Sequence, residues 1–87
     1  RCKDTQAFFA GRRIARFANI EVAAMRKLQQ LHAATDLRFL RVPPGNQLES
    51  LKGDRSGQHS IRINGQWRLC FVWTGAHASQ VEIVDYH

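Results

Sequence analysis

The spacing of the apolar residues changes near the middle of this 87-residue chain, and that change constrains the fold more than any other feature. Through residues 20–34 apolar side chains recur every three or four positions, which is typical of an amphipathic helix with one buried side. From His59 onward apolar and polar residues alternate, as they do in strands that bury one face. Between the two halves, Pro43-Pro44-Gly45-Asn46 rules out a continuous helix. The sequence therefore predicts an α+β domain.

Two helices are expected ahead of the sheet. A short helix covers residues 5–10, and a longer one covers residues 20–34. Asn19 is the expected cap of the longer helix, and Glu21 falls in its first turn, where the helix dipole favours an acidic side chain. Both helices are expected to pack on one side of the sheet.

The second half predicts three antiparallel strands, at residues 59–63, 67–73 and 80–86. Asn64-Gly65 favours a tight hairpin between the first two, because this dipeptide tolerates positive φ angles. One face of the middle strand is expected to join the core, and it carries Trp67, Leu69, Phe71 and Trp73.

Arg68 lies on the other face of that strand, where a central strand rarely buries an unpaired guanidinium. Two interpretations stay open. Arg68 forms an ion pair with Glu82 or Asp85 on a neighbouring strand, or it is held rigidly for a function.

Composition limits the class of partner. Thirteen Lys and Arg residues against seven acidic ones give a net charge of +6, which favours a polyanion such as RNA, DNA, an anionic membrane or an acidic protein. The chain length suits one domain, residues 1–87. A chain without a long apolar run, a signal-peptide pattern or a disulfide framework is expected in the cytoplasm and away from membranes. Because the first residue is Arg rather than Met, a few residues are expected to be missing from the start.

Three groups of residues are candidates for chemistry. Lys52 and Arg55 lie between glycines, in either a solvated turn or a phosphate-binding loop. Asp85-Tyr86-His87 is either a solvated tail or a set of proton-transfer groups. No metal-ligand spacing, P-loop or dinucleotide motif is present in the sequence. Together with Arg68, these residues suit metal-free phosphodiester cleavage, in which a base takes the 2′-OH proton and an acid protonates the leaving 5′-oxygen.

The segments "LKGDRSGQHSIRINGQWRLCFVW" and "VEIVDYH" resemble the HigB-type killer toxins of type II toxin–antitoxin modules, in the RelE/ParE superfamily. The resemblance implies the RelE/ParE-like fold, in which a strand precedes the first helix, and only residues 1–3 would remain of that strand. It implies a toxin that cuts mRNA in the A site of the 70S ribosome without metal or cofactor. It also implies neutralisation by a helix-turn-helix antitoxin of the HigA type.

Site roles follow from the same resemblance. Where some members have a histidine, this chain has Glu49. Either Glu49 is the base and His87 the acid, or His87 alone carries protons, and Asp85 is expected to orient His87 or Arg68. The implied catalytic set is Glu49, Lys52, Arg68, Asp85, Tyr86 and His87. Cations expected to contact RNA or the ribosome are Arg26, Lys27, Arg55 and Arg62.

Two other classes stay open at this point. Relatives in the superfamily poison DNA gyrase, and they lack the Lys, Arg, Tyr and His set seen here. A non-catalytic nucleic-acid-binding module would explain the charge equally well.

Overall fold

The computed structural model describes residues 15–85. These residues form one main α-helix and a four-stranded antiparallel sheet, so the predicted α+β class is confirmed for them. The first predicted helix, residues 5–10, and the expected remnant of an earlier strand lie outside the described residues. No helix within residues 15–85 is long and apolar enough to cross a bilayer. The α-helix is α1, Glu21–Ala33, and the strands are β1 (Glu49–Ser50), β2 (Gln58–Arg62), β3 (Trp67–Thr74) and β4 (His77–Asp85).

Helix α1 buries the side that its sequence predicts. Ala24, Leu28 and Leu31 face the core, and Glu21 lies in the first turn. The predicted Asn19 cap is wrong. The structure places Asn19 inside a 3-10 helix, Ala15–Ile20, that runs directly into α1. The chain is therefore already helical where an N-cap would be extended, and the residue before α1, Ile20, makes no side-chain capping bond.

The sheet runs in the order β1-β2-β3-β4 with antiparallel pairing throughout. Strand β3 is central and is buried on both faces. Trp67 meets Phe17 edge to face, with ring centroids 5.6 Å apart. The predicted core face of β3 is confirmed at Trp67, Leu69 and Phe71, whereas Trp73 is only half-buried.

The hairpin between β2 and β3 forms where Asn64-Gly65 predicts it, but not by the expected backbone angles. Neither residue has a positive φ. Instead the Asn64 Oδ1 atom accepts hydrogen bonds from the backbone N–H groups of Gln66 (2.8 Å) and Trp67 (2.9 Å). A side-chain turn of this kind replaces the left-handed turn.

The three predicted strands form with somewhat different bounds, and a fourth strand was not predicted. Strand β3 runs to Thr74 and β4 begins at His77, so four of the six residues of the predicted connector "TGAHAS" are strand, and Gly75 at φ 64° makes the tight turn between them. Strand β1 was not predicted, because two residues, Glu49 and Ser50, carry no alternation.

The segment between α1 and β1 is tied to the helix by Asn46, which is fully buried. Its Nδ2 atom donates to the carbonyl oxygens of Leu40 (3.0 Å) and Val42 (3.3 Å) and to the Gln30 side chain (3.3 Å). Its Oδ1 atom accepts a hydrogen bond from the Lys27 ammonium group. This cluster fixes the approach of the chain to β1, and therefore the position of Glu49.

Candidate active site

Arg68 is the most firmly held charged side chain in the described part of the sheet, and only 6% of it is exposed. Its Nε atom donates to the Ser60 Oγ atom at 2.7 Å. Its Nη2 atom donates to the Gln47 carbonyl oxygen at 2.5 Å and lies 3.3 Å from the Ser60 carbonyl oxygen. These acceptors on two segments hold the guanidinium plane in one orientation.

An acidic side chain covers the outer side of this guanidinium. The Glu49 Oε1 atom lies 3.5 Å from Arg68 Nη2, and the Glu49 side chain is 54% exposed. Glu82, one of the two acids considered as partners for Arg68, pairs with Arg55 instead. An ion pair with one exposed member is weak and screened by salt, so an incoming phosphate can displace the Glu49 carboxylate.

The loop before β2 carries Lys52 and Arg55, and the structure separates their roles. Arg55 Nη1 donates to Gln58 Oε1 and to Glu82 Oε1, both at 3.2 Å, so it fastens the loop onto β4. Lys52 is exposed and lies three residues after Glu49. Of the two predicted loop cations, Lys52 is therefore the one open to an anionic ligand.

The rest of this sheet face is crowded with polar groups. Arg62 lies directly across from Arg68 in the β2–β3 register and is half-buried. Cys70 is fully buried beside them, and burial raises the pKa of its thiol, while the charges of Arg55 and Arg68 lower that pKa by less. The thiol is therefore protonated and unreactive at neutral pH.

Asp85 ends β4 opposite Trp67, so strand alternation places it on the face away from Arg68. Its Oδ2 atom accepts a hydrogen bond from Gln66 Nε2 at 3.2 Å. Tyr86 and His87 follow it directly and lie outside the described residues. The structure thus brings Arg68 and Glu49 together, with Lys52 nearby in sequence, and the roles of residues 85–87 stay predictions.

The two helix cations differ. Lys27 donates to buried Asn46, which gives it a structural task. Arg26 is exposed, in a groove of about 430 Å³ that also includes Val22 and Met25.

Two supports of Arg68 were missed in the sequence. Ser60 falls on the polar side of β2, so its alternation with Ile61 was an available signal. Gln47 contributes a main-chain oxygen, which every residue type carries, so the sequence gives no signal for this contact.

Comparison with known proteins places the sequence of this chain in a family. Residues 6–87 match the family described as RelE-like toxin of type II toxin-antitoxin system HigB. The chain belongs to this HigB-like toxin family. The resemblance carried by the Lys52, Arg68 and Asp85 segments is therefore confirmed.

Curated relatives in the family cover part of the chain. Toxin HigB-1 of Vibrio cholerae serotype O1 is 50% identical over 56 residues, which are 64% of this chain and 59% of the relative. Endoribonuclease HigB of Proteus vulgaris is 34% identical over 61 residues, 70% of this chain and 65% of the relative. An uncharacterized protein of Haemophilus influenzae is 37% identical over 56 residues, 64% of this chain and 55% of the relative. The chain thus spans between 55% and 65% of the length of these relatives.

Proposed function

We propose that this chain is the toxin of a type II toxin–antitoxin module and acts as an endoribonuclease that cuts mRNA in the ribosomal A site without a metal ion. Family membership and the name of the Proteus vulgaris relative support the class of activity. One observation carries the assignment to this site: the Arg68 guanidinium is held by hydrogen bonds to Ser60 and Gln47, and it also pairs with the half-exposed Glu49 carboxylate, which a phosphate can displace.

In the proposed reaction, a non-bridging phosphate oxygen of the mRNA takes the place of Glu49 against Arg68. The guanidinium holds the negative charge that grows on phosphorus, and because its acceptors are already fixed, little reorganisation is needed. Lys52 supplies a second, mobile cation to the same phosphate.

Proton transfer completes the step. A base removes the ribose 2′-OH proton, the 2′-oxygen attacks phosphorus to form a cyclic phosphate, and an acid protonates the leaving 5′-oxygen. Glu49, once displaced from Arg68, is a free carboxylate beside the phosphate and is one choice of base, with His87 as the acid. In the alternative, His87 carries both protons and ribosomal positioning supplies much of the rate. Tyr86 and Asp85 are proposed to shape the site around His87.

The proposed partners follow from charge and family. A net charge of +6 would draw the chain to the 70S ribosome and mRNA, with Arg26 and Arg62 as exposed or half-exposed cations. The neutralising partner is proposed to be a HigA-type helix-turn-helix antitoxin, and the site of action the cytoplasm.

Mapping mRNA 5′ ends in a translating extract tests the proposal. Wild-type protein is expected to give cuts in frame with the A site, and none when ribosomes are omitted. Lys52→Gln is expected to lower cleavage at least tenfold, because an exposed cation is lost without disturbing the fold. His77→Gln, at the exposed first residue of β4, is the matched control and should cut normally.

Other results would separate the alternatives. Full activity of both Glu49→Gln and His87→Ala would contradict the acid–base assignment. RNA binding without ribosome-dependent cuts would favour the non-catalytic module, and loss of gyrase supercoiling activity would favour a gyrase poison.

A further inference from the structure

Near the candidate site, a small cavity lies at the β1 edge of the sheet, on the face opposite to Arg68. It has a volume of about 160 Å³ and is lined by Leu37, Arg38, Arg41, Leu48, Ser50 and His59. We propose that this cavity, named here the edge cavity, binds a phosphate group of the RNA backbone. The inference rests on the proposed function for the identity of the RNA, and it adds a phosphate-binding subsite outside the catalytic set.

The strand register places the two sites back to back. Glu49 pairs with Ser60, and both contact Arg68 on one face. The next pair along is Ser50 with His59, and because side chains alternate, both face the edge cavity. Consecutive Cα atoms are about 3.8 Å apart. Strand β1 has only two residues and lies at the edge of the described sheet, so an RNA chain crossing it can contact both sites.

The charges around the edge cavity favour an anion. The exposed Arg41 side chain makes no hydrogen bond or ion pair with any part of the chain that the structure describes. Arg38 is held by Asp36 through two hydrogen bonds, of 2.9 Å and 3.2 Å, which orient its guanidinium and offset its charge. Arg41, Arg38 and Asp36 together leave a net positive charge at the edge cavity. The Arg41 guanidinium is a planar donor group of the kind that suits phosphate.

His59 adds an imidazole ring whose position is fixed by two contacts. Its ring stacks on Phe71 with centroids 6.0 Å apart, and its Nδ1 atom lies 3.3 Å from Ser50 Oγ. A Ser50 hydroxyl that donates to Nδ1 leaves the ring proton on Nε2, available to an acceptor. Among the residues of the lining, none is acidic.

The size of the edge cavity argues for a small group on a longer chain. Pockets for whole drug-sized molecules begin at roughly 300 Å³, about twice this volume. A phosphate group of a polymer needs less space, because the ribose and base on either side stay outside.

Binding of an uncleavable RNA tests the inference with the full chain. The probe is a fluorescein-labelled 2′-O-methyl hexaribonucleotide, and its affinity is measured by anisotropy over a series of salt concentrations. Arg41→Gln is expected to weaken binding about fivefold and to lower the slope of log affinity against log salt by about 0.7, the value for one lost phosphate contact. His59→Gln is expected to weaken binding about threefold with little change in slope.

Two matched variants control for charge and for loss of an imidazole. Thr74→Glu changes the net charge as Arg41→Gln does, at an exposed position at the end of β3, and His77→Gln removes an exposed histidine. Each is expected to change affinity less than twofold. If Arg41→Gln weakens binding no more than Thr74→Glu does, the edge cavity is not a phosphate subsite, even when wild-type protein cuts mRNA. If wild-type protein does not cut mRNA but the Arg41 and His59 variants lose affinity as stated, the subsite stands and the proposed function fails.

Discussion

Replacing Ser60 by alanine should destabilise the fold far more than the loss of one oxygen atom suggests. Ser60 is fully buried, and its Oγ atom is the acceptor for the Nε–H group of Arg68 at 2.7 Å. Removing it leaves a charged donor inside the protein without that acceptor. The expected loss in the free energy of unfolding is about 2 kcal/mol, within the range for a hydrogen bond to a charged group.

Glu49→Gln provides an informative contrast at the same guanidinium. The Glu49 carboxylate is half-exposed and 3.5 Å from Arg68, so its removal should cost less than about 1 kcal/mol. The structure therefore predicts that the neutral serine matters more to stability than the acid that forms the ion pair.

Urea unfolding followed by tryptophan fluorescence measures both effects, because Trp67 is buried against Phe17. With a slope of about 1 kcal/mol per molar urea for a chain of this size, Ser60→Ala should lower the midpoint by about 2 M. Ser79→Ala, a half-buried serine of β4, is the matched control and should shift the free energy of unfolding by less than about 0.5 kcal/mol.

A double-mutant cycle gives the refuting result. In an Arg68→Met background the Ser60→Ala change should cost less than about 0.5 kcal/mol, because no guanidinium is left without its acceptor. Equal costs in both backgrounds, or a Ser60→Ala midpoint equal to that of Ser79→Ala, would show that Ser60 does not hold Arg68.

Three further predictions concern chemistry and backbone. Burial raises the pKa of the Cys70 thiol and shields it from reagents. In a chain whose other cysteine is replaced by serine, reaction with a disulfide reagent should therefore be slow in native buffer and fast in urea. Fast reaction in native buffer would contradict the burial of Cys70. The side-chain hydrogen bond from Arg38 lowers the pKa of Asp36. The Asp36 carboxylate therefore stabilises the fold at pH values above the carboxyl pKa of the unfolded chain. That stabilisation is lost as the pH falls through the lower pKa of the folded protein. Asp36→Asn should therefore lower thermal stability at pH 7 and converge with wild type in acid; a constant difference across pH would contradict it. Gly57→Ala, at φ 90°, should cost about 1 kcal/mol or more in the free energy of unfolding by urea titration, whereas Gly45→Ala, with open space around it and no positive φ, should cost nothing measurable or stabilise slightly.

The fold was predictable where a pattern of apolar residues extends over several helical turns or along a whole strand. The stripe of α1 and the core face of β3 each repeat over many residues, and both are confirmed. Strand β1 and the side-chain geometry of the Asn64 turn were not predictable. Each depends on a tertiary or side-chain contact made by one or two residues. The Asn19 cap failed for a related reason, since the 3-10 helix before α1 leaves no extended residue to cap.

In the candidate site, too, the sequence singled out one residue but not the contacts around it. Arg68 stood out because an arginine on a central strand conflicts with its neighbours, and the structure resolves that conflict with buried acceptors. Its pairing with Glu49 required the β1–β2 register, which sequence spacing does not encode. Arg55 and Lys27 also have structural contacts, with Glu82 and Asn46, that the sequence did not predict, and their expected contact with RNA stays a prediction.

The Gln47 contact with Arg68 has a consequence for how this protein tolerates change. The acceptor is a peptide oxygen, and Gln47 adopts a left-handed conformation with φ 45°. Selection at position 47 would then act on backbone shape rather than on side-chain chemistry. In a saturation library glycine and asparagine should survive there, while valine and isoleucine should be depleted, although the glutamine side chain itself has no part in holding Arg68.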